Sequence, residues 1–307
     1  MLPNDAAADR ADQIFRIGPE TLVTSSSTII AGHVSHYHKD VLKVSQPGPD
    51  GFPLEWKITA ELADPVTLKG SPVSKPISFS RIEHSFMSPV PTQNLRWEQD
   101  YGELVPDGAV VLFFSGADSQ TIHKVLPGGT GEQDLAALVK DIVSIQRLTD
   151  PKERIQRWLA YLASGSVSEG YRVALRSLAH TGAPWQDFEP ALRNILMQAS
   201  LSPDVRAFTF GFVAFNITQN RWEAHSSAAL DLLCTSFSGQ ADHGLALRNL
   251  GSLSLVLHYT SEQPVQASRR ALREQAIKCL RSWASLGFAD HDLAEEYKRI
   301  RQQYAVQ

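Results

Sequence analysis

The chain has 307 residues, is 43% apolar and 20% charged, and carries a net charge of −4. That length holds about two domains with a core large enough to need no metal or disulfide. No apolar run approaches the ~20 residues of a membrane span. The charge divides into −5 up to residue 130 and +1 beyond it, which is no field for a phosphate backbone. Neither a membrane span nor a nucleic-acid partner is therefore expected.

Residues 1–12 are rich in Ala and Asp and show no periodicity, which predicts a disordered arm. They lack the basic and apolar regions of a signal peptide. The protein is expected in the cytoplasm if Met1 is the native start, and outside it if a signal was removed.

From Gln13 to about Gly128 the pattern is that of strands. Residues 28–34 are strand-like, and Pro47-Gly48-Pro49-Asp50-Gly51 marks a turn. Over 54–62 apolar and polar residues alternate. Leu54, Trp56, Ile58, Ala60 and Leu62 thus share one face, which should enter the core. Residues 77–82 alternate likewise, and a proline-containing loop follows from His84 to Asp100. Ala109-Val110-Val111-Leu112-Phe113-Phe114 is the most continuous apolar run in this half, and it is expected as the buried central strand. Residues 121–126 add one more. Short strands separated by long turns predict a small β-barrel or sandwich over 13–130.

The order of three motifs carries a resemblance. Ile29-Ile30-Ala31-Gly32-His33-Val34 opens, a long strand ends in Leu68-Lys69-Gly70, and Leu104-Val105-Pro106-Asp107-Gly108 feeds the Val-Leu-Phe-Phe strand. This is similar to the OB-type barrel of netrin-like, tissue-inhibitor-of-metalloproteinase modules, and it implies an OB-like barrel here. Those modules inhibit proteases through N-terminal cysteines. This chain has no cysteine before Cys234, so that activity does not carry over.

Pro127-Gly128-Gly129-Thr130-Gly131 closes the first domain, and Thr130 with Gln133 fits a capping box. A phosphate-cradling loop would continue with Gly-Lys-Ser/Thr. Glu132-Gln133-Asp134 follows instead, so the glycines read as a joint. From 131 to 307 the period is helical. Leu135, Leu138, Val139, Ile142, Val143 and Ile145 line one face. Asp150-Pro151 supplies a cap followed by Pro at the first helical position. Further helices are predicted near 168–180, 187–199, 203–217, 222–236, 241–259, 265–286 and 290–304. Asp150-Pro151-x-x-Arg154 is echoed by Ser202-Pro203-Asp204-Val205-Arg206. The phrase Pro203-Asp204-Val205-Arg206-Ala207 before an apolar helix resembles a HEAT-type repeat, which implies a layered helical array. The expected fold is α+β: a small OB-like β-barrel, then an all-α HEAT-like or layered helical domain.

Cys234 and Cys279 make neither a disulfide framework nor a zinc motif. They read as small buried residues, with one bridge between their helices as the alternative.

Three groups of side chains stand out as candidates. His36 and His38 lie two apart in a strand and should face one way; with His84 they form a candidate metal site. Phe86, Met87 and Trp97 stand in the proline-containing loop as candidate partner anchors. Arg269, Arg270 and Arg273 form a basic helix face suited to an acidic partner surface. No catalytic motif accompanies them, and no cofactor is expected. The expected function is a non-enzymatic protein-interaction or scaffold role. A metal-binding protein or metal-dependent enzyme and an exported structural protein are the alternatives.

Overall fold

The computed structural model describes residues 18–45, 53–73, 76–84, 101–115, 121–129, 134–163, 168–219, 221–237, 243–261, 267–284 and 291–304. The chain divides into two compact units. One runs from Ile17 to Arg157 and contains the sheet. The other contains Trp158 to Gln307 and is helical. The division falls inside a helix, past the glycine cluster near residue 130.

In the sheet unit the described elements are α1 (Pro19–Ser25), β1 (Thr28–Val44), β2 (Pro53–Lys69), β3 (Ser78–His84), β4 (Ala109–Ser115), β5 (Thr121–Pro127) and α2 (Leu135–Gln146). Helix α3 (Pro151–Ala163) crosses the division. α1 lies where the sequence predicts only strand and loop. Pro19 starts it, and Ser26 ends it by returning both its backbone N–H and its hydroxyl to the Leu22 carbonyl.

The strands form one antiparallel sheet in the order β3-β2-β1-β4-β5. β1 is therefore the middle strand, and the apolar run of β4 lies beside it rather than at the centre. β4 is buried on both faces. Val110, Leu112 and Phe114 join the cluster of Ile30, Val34, Trp56, Ile58, Ala60, Leu62, Phe79 and Leu104. Val111 and Phe113 are also fully buried, on the side where α1 packs on β4 and α2 on β2.

Among the described residues the expected barrel does not close: the sheet is open, with β3 and β5 at its edges. The physical reason is stagger. β4 pairs the near half of β1, from Thr28 to His33. β3 pairs the far half of the β1–β2 hairpin, from Glu55 to Glu61 of β2. The edges therefore do not present matching ladders to each other. Arg81 Nη1 of β3 reaches across and donates to the Val125 carbonyl of β5 at 3.4 Å. Irregularities along β1, including one between Ala31 and His33, roll the sheet. At Gly32 any Cβ would stand 2.5 Å from the Ala63 carbonyl oxygen, so only glycine permits this approach.

α2 buries all six residues of its predicted face. Thr130 and Gln133 lie outside the described residues. Asp134 is the observed N-cap, accepting from the Ala137 N–H at 3.0 Å.

The helical unit holds α4 (Ser168–His180), α5 (Trp185–Met197), α6 (Pro203–Thr218), a 3₁₀ turn (Glu223–His225), α7 (Ser226–Ser236), α8 (His243–Ser261), α9 (Ala267–Ala284) and α10 (His291–Gln303). Ser202 caps α6 by accepting from the Asp204 N–H. Phe210, Phe212 and Phe215 are buried, so α6 is covered on several sides, as its lack of a polar stripe requires. Neighbours skip one helix. α6 packs on α4 and α8, α8 on α10, and α7 on α5 and α9. Sequential contacts join α5 to α6, α6 to α7 and α8 to α9.

Cys234 and Cys279 are bonded to each other, with Cα atoms 5.5 Å apart. This corrects their reading as two separate apolar residues. The bridge joins α7 to α9, and Trp283 adds an indole N–H donated to the Cys234 carbonyl at 3.2 Å. The Trp283 ring stacks on Phe237 with centroids 3.8 Å apart.

Candidate functional site

The histidine pair does not form as its spacing predicts. β1 pairs Ser35 with Glu61 and then His38 with Thr59, so two residues of β1, His36 and Tyr37, stand opposite the single residue Ala60 in a bulge. His36 sits in that bulge with φ +47°, which breaks the strand alternation that would align it with His38. Each imidazole meets its own carboxylate: His36 Nδ1 lies 3.0 Å from Glu61 Oε2, and His38 Nε2 lies 2.9 Å from Asp40 Oδ1. Their side chains are 78% and 70% exposed. His84 pairs with Glu55, four residues along β2 from the partner of His38. That is about 13 Å of extended strand. Among the described residues no group of three His, Cys, Asp or Glu could hold a metal ion.

Glu83, the neighbour of His84, has a structural role. Its carboxylate is buried and accepts from the Trp56 indole at 3.1 Å and from the Leu104 N–H at 3.3 Å. Arg81 Nε stands 3.5 Å away. A buried carboxylate supplied with donors in this way ties three chain segments together. The Tyr37 phenol, packed against the same cluster, is pushed up by burial and by repulsion from Glu83 and Glu103.

Phe86, Met87 and Trp97 lie outside the described residues. The basic face on α9 is described, and it leads to a cleft. Arg270 is exposed, whereas Arg269 and Arg273 are half-buried. The Arg273 Nε is buried without a hydrogen-bond partner among the described residues. Arg269 turns onto the Tyr259 ring of α8, its guanidinium carbon 4.3 Å from the centroid. It lines a cleft of about 310 Å³ in the helical unit.

Five elements build this cleft. Ile217 of α6 and Leu272 of α9 are buried and supply apolar wall. Glu223 of the 3₁₀ turn and Ser227 of α7 line it, with Ser268, Arg269 and Gln275 of α9 and Tyr259 of α8. Gln275 is held firmly. It accepts from the Ser227 hydroxyl at 2.9 Å, and it donates to the Ser227 carbonyl at 2.9 Å and to Asp231 at 2.6 Å. The walls formed by α7 and α9 are thus pinned twice, by this amide and by the disulfide. Among the described residues Arg269 has no ion-pair partner and Ser268 no hydrogen-bond partner. The sequence singled out Arg269 but not Tyr259, Ser268 or Gln275. Such residues are commonplace on helix faces, and only the packing of α7, α8 and α9 brings them together.

No protein-family model matches this chain, and no curated protein or solved structure is significantly similar to it.

Proposed function

We propose that the protein is a non-enzymatic interaction protein whose helical unit supplies a docking surface. The observation that carries this reading is the cleft at Arg269. It is walled by side chains already held in place, and its arginine makes no ion pair among the described residues. Preorganised polar groups beside apolar wall suit recognition, because little ordering cost remains on binding. The skip-one neighbour pattern adds support. Helices packed in two layers, α4-α6-α8-α10 and α5-α7-α9, are how HEAT-type arrays build binding surfaces. The test is proximity crosslinking in cells. Arg269→Glu/Arg270→Glu should lose specific partners that Arg193→Glu, a control on α5, retains. An unchanged partner profile rejects this surface.

A second observation favours an exported form of the same protein. A disulfide persists in an oxidising compartment and is rare elsewhere. Thiol alkylation of the protein in intact cells, before and after reduction, reads this directly. Modification of Cys234 and Cys279 without prior reduction counts against export.

A further inference from the structure

We propose that the cleft at Arg269 binds a peptide carboxylate flanked by an apolar residue. This rests on reading the helical unit as a docking surface and names what that surface takes. A guanidinium held over an aromatic ring by its charge spends no N–H on a hydrogen bond there. Its fork of N–H donors is left for a ligand. Tyr259 therefore holds the Arg269 fork ready without consuming it. A planar carboxylate is the group that fits such a fork with two parallel bonds. Ser268, one residue earlier on α9, offers a hydroxyl to the same cleft. Ile217 and Leu272 give an apolar neighbour somewhere to pack. Glu223 on the same cleft sets the charge of the ligand. It repels a dianion more strongly than a monoanion, so a carboxylate is favoured over a phosphate.

The carboxylate can come from an Asp or Glu side chain or from a chain terminus, and three peptides separate these sources. They are acetyl-Ala-Leu-Glu-Leu-Ala-amide, its Gln counterpart, and acetyl-Ala-Leu-Ala-Leu-Ala as the free acid. Each is titrated into the full chain by NMR, following the Gln275 side-chain amide and the Ser227 and Ser268 backbone amides. At least one carboxylate peptide should saturate and bind about tenfold or more tighter than the Gln peptide, and it should weaken with added salt. Arg269→Gln should erase that difference. Arg269→Lys, which keeps the charge but loses the fork, should fall between. Arg193→Gln should change nothing.

Equal binding of the Glu and Gln peptides overturns the proposal. So does an Arg269→Gln protein that binds like the native one, or no saturable shift up to about 10 mM carboxylate peptide. If the peptides fail while crosslinked partners still depend on Arg269 and Arg270, the ligand is wrong and the docking surface stands. If neither depends on these arginines, both fall.

Discussion

The two compact units tie distant stretches of chain together by different means. In the sheet unit the tie is polar and buried: Glu83 gathers Trp56, Leu104 and Arg81, and Arg81 reaches across to β5. In the helical unit the tie is covalent, with Cys234 and Cys279 joining α7 to α9. A buried carboxylate acts in the folded state and is costly when half satisfied. A disulfide acts chiefly by restricting the unfolded chain. The sheet unit should therefore fail through a damaged core, and the helical unit through a freed loop.

The sharpest way to break the comparison is at Glu83. Glu83→Ala takes the acceptor from the Trp56 and Leu104 donors and the counter-charge from Arg81, and removing one partner of a buried pair costs about 3–5 kcal/mol. Urea denaturation combined with hydrogen exchange should show the loss in β2 and β3, with α7 and α9 unmoved. Glu83→Gln, which keeps an acceptor, should lose less. The counterpart is Cys234→Ser/Cys279→Ser, which opens a span of 45 residues and should cost about 2–4 kcal/mol. Exchange should rise in α7 and α9 and leave the sheet protected. If either change destabilises both units equally, the two ties are not separate.

Smaller effects sharpen the same division. Ser202→Ala removes the cap of α6, and Asp134→Ala that of α2. Each should cost about 1 kcal/mol, visible as exchange in the first turn of its own helix. The smallest effect is a pH dependence. His123 on β5 is exposed, and partial desolvation, with repulsion from Lys124 added, shifts it modestly below its ordinary 6.5. Between the lowered value and 6.5 the unfolded chain binds more protons than the folded one. Stability therefore falls as pH drops through that window and is fully restored above it. His123→Asn should flatten the slope of denaturation midpoint against pH in that window.

The helices were legible from their start signals and, apart from the all-round buried α6, from a stripe that repeats along the sequence. The α4 and α6 starts coincide with their predicted ones, and Ser202 caps as its position suggests. The core faces of β2 and α2 were equally readable, from Leu54 to Leu62 and from Leu135 to Ile145. The lengths of the hairpin strands were not. β1 runs on to Val44 through polar residues that alternate weakly, because its far half is exposed and β2 alone carries it. The bulge at His36 was invisible for a related reason. A left-handed residue in a strand leaves no periodic mark, so two histidines at even spacing looked aligned. The joining of Cys234 to Cys279 depends on which helices lie side by side, and no local pattern states that. The cleft was half legible: charge marked Arg269, while the ring that holds it comes from another helix.

The bridge between α7 and α9 also decides how the chain yields to a mechanical load. A pull on the C-terminus frees α10 first, since that helix lies beyond Cys279. The load then crosses the sulfur–sulfur link to Cys234, and everything between residues 234 and 279 is hidden from tension. Under reducing buffer the same chain should pay out roughly 150 Å of extra contour, at ~3.4 Å per residue released.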